Sequence, residues 1–114
     1  MALKQLPVVR QRGECCVLPA VDAEWAEEAA NLMKALADPT RLTMVAALWK
    51  AKSPVCICDF RADMDLSQST ISHHMSKLRE AGLVDCRKDS IWTYYWLRQD
   101  LAPGTRKLLG QLIA

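Results

Sequence analysis

Apolar residues recur at helical spacing through most of this chain. Trp25, Ala29, Leu32, Met33 and Leu36 trace one stripe, opened at Val21 or Asp22. Asp38-Pro39 marks a second helix start, with Asp as N-cap and Pro at the first helical position. That helix runs through Leu42, Val45, Ala46 and Trp49 to a turn at Ala51-Lys52-Ser53-Pro54. A short helix follows, opened by Cys56-Ile57-Cys58 and ending near Met64. Ser67 is the N-cap of a longer one that reaches about Arg79, with Ile71, Met75 and Leu78 on its buried stripe. Glu80-Ala81-Gly82 ends it, Gly82 supplying a left-handed turn.

The period then changes. Leu83 to Leu97 reads as a hairpin with its turn at Lys88-Asp89-Ser90 and an aromatic second strand, IWTYYWL. Trp92, Tyr94 and Trp96 alternate with Ile91, Thr93, Tyr95 and Leu97, so both faces of that strand are partly covered. Pro103 to Ile113 is a last helix with Leu108, Leu109, Leu112 and Ile113 on its apolar face. Residues 1–20 lack periodicity and contain Pro7, Gly13 and Pro19, so they read as a poorly ordered arm. The fold class is mainly α with a small β-hairpin. Residues 21–114 form one domain, in which a helix-turn-helix is followed by a wing.

A chain of 114 residues buries about two-thirds of its unfolded surface, a modest core that a dimer would extend. The net charge of +2 excludes a non-specific polycation, so any nucleic-acid affinity comes from local clusters. No apolar run suits a signal peptide or a membrane span, which points to a cytoplasmic protein without a membrane partner. Five cysteines in such a chain argue for metal or redox chemistry rather than structural disulfides.

Two sets of residues carry candidate chemistry. The first is the polar side of the helix opened by Ser67: Gln68, Ser69, Thr70, Ser72, His73 and Lys77. Short hydrogen-bonding groups with one cation are what a helix uses to read base edges in a major groove. Arg87 and Lys88, placed at the hairpin tip, would meet phosphate or the minor groove. The second set is thiols: Cys15-Cys16 in the arm, and Cys56 with Cys58. Fully helical residues at i and i+2 point about 200° apart, so the latter pair can chelate one ion only if Cys56 is not yet helical. Cys56 at the N-cap meets that condition, and the positive helix end there favours a thiolate. Cys86 in the first hairpin strand reads as packing. Arg41 reads as a structural ion pair, and His74 as a bystander to His73. An enzyme is not expected, because the only histidines lie on the reading helix and leave no base for a nucleophilic cysteine.

Taken together, LADPTRLTMVAAL, VCICDF, LSQSTISHHMSKLREAGLV and the hairpin ending in WTYYWL resemble the ArsR/SmtB family of metal-sensing repressors, over residues 22 to 113. The resemblance implies a homodimeric winged helix-turn-helix. It would bind double-stranded operator DNA with no cofactor and release it when metal binds. The first and last helices would form most of the dimer interface. The family's base-reading positions match Gln68, Ser69, Ser72 and His73, and its Cys-x-Cys-Asp box matches Cys56, Cys58 and Asp59. Two departures matter. Arg61 stands where some arsenic sensors place a third cysteine, and Leu101 to Ala114 lacks the His, Asp and Glu of the family's zinc site.

The missing ligands would be Cys15 and Cys16, since twenty extended residues reach up to ~60 Å, far enough for the partner's box. This resembles the cadmium/lead branch and the arsenic sensors with an N-terminal cysteine pair. Three or four thiolates select soft ions (lead, cadmium, zinc, copper(I), arsenite or antimonite), and the inducer is read as As(III) or Sb(III), or else Cd(II) or Pb(II). Two other readings stand beside it: a thiol redox switch on the same fold, and a small metal-buffering protein with no DNA preference.

Overall fold

In the computed structural model the protein is described over residues 17–113. The elements, in order, are α1 (Ala23–Leu36), α2 (Pro39–Ala51), β1 (Val55–Cys56), α3 (Ile57–Met64), α4 (Gln68–Glu80), β2 (Val84–Asp89), β3 (Trp92–Leu97) and α5 (Pro103–Leu112). The cysteine pair at 15 and 16 and most of the expected arm lie outside the described residues.

The helix boundaries follow their caps. The Asp22 carboxylate accepts the Glu24 amide at 2.9 Å, and the Asp38 carboxylate accepts the Arg41 amide at 3.0 Å, with Pro39 opening α2. The Ser67 hydroxyl accepts the Thr70 amide at 3.2 Å. At the other end of α4, Leu83 N–H donates to the Leu78 carbonyl and Gly82 N–H to the Arg79 carbonyl, both at 3.0 Å. That pair of bonds is a Schellman cap, and Gly82 takes the left-handed conformation it needs, φ 77°. Leu78 and Leu83, the residues such a cap brings into contact, are both fully buried.

The core lies between α2, α3, α4 and the sheet. Met44, Val45, Ile71, Met75, Leu78, Val84 and Leu109 are almost completely enclosed. The buried stripe expected for α4 is therefore correct residue by residue. Met44 was not expected: α2 touches α1, α4 and β3, so it buries more than one face and no single stripe marks it. α5 meets α2 where Gly110 faces the Trp49 ring, at a separation where a Cβ would make ordinary contact, 3.4 Å.

Three expectations need correction. The sheet has three strands, in the order β1-β3-β2, because Val55 pairs with Tyr95 and Cys56 with Tyr94. A strand of two residues shows no alternation, so the sequence pattern could not reveal it. Second, Asp89 pairs with Trp92, which leaves a two-residue turn at Ser90-Ile91, with Ser90 at φ 59°. Polar composition placed the turn too early. Arg87 and Lys88 stand on the flank of the wing, opposite Tyr94 and Thr93, and the tip is Ile91. Third, Arg41 makes no ion pair among the described residues. Its guanidinium donates to the backbone carbonyls of Ala35 at 2.7 Å and Lys34 at 3.3 Å, so a side chain of α2 binds the carboxyl end of α1.

The cap of α4 gives a clean test. No atom lies within 4 Å of a Cβ built on Gly82, so Gly82→Ala meets no clash and pays only for the left-handed backbone. The expected loss is about 1–2 kcal/mol in urea unfolding, with the slope of the transition unchanged.

Candidate nucleic-acid interface and thiol box

With Ile71, Met75 and Leu78 turned fully inward, α4 presents its polar side outward. Gln68, Ser69, His73 and Lys77 are exposed. The other two reading candidates are partly engaged by the fold. Thr70 holds the Ser67 hydroxyl at 2.8 Å as part of the N-cap. Ser72 is half-buried and interacts with the hydroxyl of Tyr95, which burial pushes up from its ordinary pKa and the Ser72 contact draws partly back. Lys77 pairs loosely with Glu80 at 3.9 Å, and Arg79 with Asp85 at 3.7 Å, all of them exposed. Such pairs hold little energy and yield readily to a phosphate. Arg87 and Lys88 are exposed and make no ion pair among the described residues.

His74 is not a simple solvated neighbour. Its ring meets His73 edge-on, with centroids 5.9 Å apart, and its Nδ1 is buried without a hydrogen-bond partner among the described residues. The Asp38 carboxyl at the start of α2 is held below the usual 3.8, chiefly by the hydrogen bond from the Arg41 amide, with the Arg41 guanidinium and the His74 ring as smaller influences. The site thus reaches back from α4 to the start of α2, a link that two adjacent histidines do not disclose.

At the start of α3, the helix that precedes α4, is the thiol box. Cys56 is the N-cap of α3, in an extended conformation (φ −71°, ψ 144°), and its sulfur accepts the Cys58 amide at 3.4 Å. The two side chains therefore escape the 200° divergence of a regular helix. Cys56 is buried and Cys58 half-buried. The Cys58 thiol is pushed above its ordinary 9.0, first by the hydrogen bond with Cys56, then by burial, then by the charges of Cys56 and Asp59. The helix terminus does not make Cys58 a ready thiolate. A soft cation would do so by displacing the proton. Two thiols fit such an ion but do not fill its coordination shell, and among the described residues no group of three or more His, Cys, Asp or Glu could hold a metal. Cys86 packs half-buried against the core, as expected of it.

The comparisons with known proteins agree with this geometry. Residues 38–85 match the family model described as bacterial regulatory protein, arsR family. An HTH-type transcriptional regulator of Methanocaldococcus jannaschii is 37% identical over 86 residues, 75% of this chain and 96% of that one. The arsenical resistance operon repressor of Escherichia coli is 38% identical over 81 residues, covering 71% of this chain and 68% of the relative. Among solved structures, HlyU from Vibrio cholerae superposes with a TM-score of 0.67 at 28% identity, over 80% of this chain and 97% of that one.

The thiol contact makes its own prediction. Replacing Cys56 by Ala removes the largest effect that raises the Cys58 thiol. The pH profile of alkylation at Cys58, followed by peptide mass spectrometry, should move to lower pH in Cys56→Ala. An unmoved profile would mean that the two sulfurs do not interact.

Proposed function

The chain belongs to the ArsR family of bacterial regulatory proteins, and from that premise we propose that it is a homodimeric transcriptional repressor released from operator DNA by a soft thiophilic ion. The observation that carries this reading is the pairing of a thiol pair at the start of α3 with the polar face of the next helix, α4. A solvent-facing row of Gln68, Ser69 and His73 begins ten residues after a buried-to-half-buried thiol pair.

In this reading α4 enters the major groove. Gln68, Ser69, Ser72 and His73 meet base edges, Thr70 and Lys77 steady the helix, and Arg87 and Lys88 meet the backbone from the wing. Two copies are needed to hold two such helices at the spacing of a palindromic site. Exposed apolar side chains supply the surface for pairing. Trp25 and Met33 on α1 and Leu108 on α5 line one groove of about 520 Å³, and Leu112 continues the exposed row on α5.

The ion would bind Cys56 and Cys58, with Cys15 and Cys16 of the arm completing a three- or four-thiolate site. Arsenite or antimonite would take three sulfurs, cadmium four, and lead three. Ligation at Cys56 acts on a residue paired with Tyr94 of the wing. The effect of the ion is to shift the wing relative to α4, a coupling worth ~1–3 kcal/mol in typical allostery.

The test uses a duplex selected by the protein from a random-sequence pool. Gln68→Ala should relax discrimination at one base pair by about 1–3 kcal/mol. Lys88→Ala should weaken all sequences alike and lower the salt slope by about one. The double variant Cys56→Ser, Cys58→Ser should bind the duplex normally and no longer release it with arsenite, antimonite, cadmium or lead. Loss of DNA binding in that variant would contradict the scheme. Release by peroxide alone, reversed by thiol, would replace the ion by a redox signal.

A further inference from the structure

We propose that a cavity over the outward face of the wing is a binding site for a small organic anion with a planar, apolar body. The cavity measures about 960 Å³, near the top of the roughly 300–1,000 Å³ typical of small-molecule sites. No cysteine lines it.

Its floor comes from the strand alternation. Tyr95 faces the core, so Tyr94 and Trp96 face the other way, and both line the cavity. An antiparallel wing commonly leaves that face polar for water. Here it is aromatic. Trp49 of α2, which lies against α5 at Gly110, adds a third ring. Flat aromatic walls from separate elements suit a flat apolar ligand.

The rim is cationic. Lys52, Arg87, Arg98 and Arg106 line it, against a single lining acid, Asp89. With Asp89 in the lining and Asp100 paired to Arg98, the four cations leave a local surplus of positive charge at this cavity. Two of the four cations are held in place by their own bonds. Arg98 forks onto Asp100 at 2.9 and 2.7 Å, and Arg106 donates to the Gln99 carbonyl at 3.0 Å. Each guanidinium has five N–H donors, so both keep donors to spare. Lys52 and Arg87 make no ion pair among the described residues. Cations crowded over low-dielectric walls repel one another and focus the field on an anion.

A ligand here would also reach the reader. Arg87 stands on β2 opposite Tyr94 and lines the cavity. An anion that engages Arg87 takes it from the DNA backbone and weakens operator binding. This coupling rests on the DNA-binding reading above, whereas the binding itself does not.

The experiment titrates the full-length protein calorimetrically with 1-naphthoate and with its uncharged counterpart, 1-naphthylmethanol. Naphthoate should bind at one per subunit, with the alcohol at least about tenfold weaker. Arg106→Glu and Lys52→Glu lie outside the reading helix, and each should weaken naphthoate about tenfold with unchanged circular dichroism, as expected for loss of one charged partner. Two variants guard against misfolding of either one. Absence of naphthoate binding, equal binding of both probes, or indifference to both charge reversals would overturn the proposal. With a selected duplex present, saturating naphthoate should lower DNA affinity, and an unmoved affinity would refute the Arg87 coupling. A ligand-free protein that binds no duplex would instead sink the repressor reading and leave the titration standing.

Discussion

Two residues of antiparallel pairing, Val55 with Tyr95 and Cys56 with Tyr94, hold the thiol box against the wing. Without them the segment between α2 and α3 would be a free turn, and an event at Cys56 would be felt only by α3. With them, Cys56 is at once the last residue of a strand and the N-cap of a helix. The neighbouring strand continues the linkage, since Tyr94 pairs with Arg87 on its far side. One line across the sheet thus joins a sulfur, an aromatic ring and an exposed cation. A sheet transmits such a displacement because its pairing is discrete: strands hold register or lose it.

The parts of this arrangement that were legible in the sequence are those with periodic or capping signals. Ile71, Met75 and Leu78 gave the buried face of α4, and Asp38-Pro39 and Ser67 gave two helix starts. The N-cap position of Cys56 was expected on the condition that the pair share one ion, since two regular helical residues at that spacing point about 200° apart. What stayed hidden was non-local. β1 is too short to alternate, the turn at Ser90-Ile91 is set by cross-strand register rather than by composition, and Arg41 finds its partners in backbone carbonyls that no charge pattern marks. The cationic cavity was also invisible, for Lys52, Arg87, Arg98 and Arg106 are scattered over 55 positions and meet only in the fold. The single hint was the aromatic content of both faces of β3.

The small core has a further consequence. Trp25, Met33 and Leu112 are more than half exposed in one subunit, and these are the residues that the helical stripes of α1 and α5 would otherwise bury. The stripe reading was right about the pattern. One subunit covers the two helices only in part, through Ala35, Leu36 and Leu109. In the proposed reading a second copy would cover them, because the same pairing that removes apolar surface from water would also fix the distance between two α4 helices.

Electrostatics then bring the wing back to the centre. The cations of α4 and its end, Lys77 and Arg79, each have an acid beside them, whereas Arg87 and Lys88 have none among the described residues. Counterion release from DNA scales with the cations that reach phosphate, so in the proposed reading the wing would supply much of the salt-sensitive affinity. Base readout would come from α4. A molecule built this way need not unfold its reading helix to let go. A modest change in the angle between wing and α4 would strip the phosphate contacts while leaving Gln68 and His73 intact. The strand that sets that angle is β3, which is paired on one side to the thiol box and faces the cationic cavity with its aromatic side.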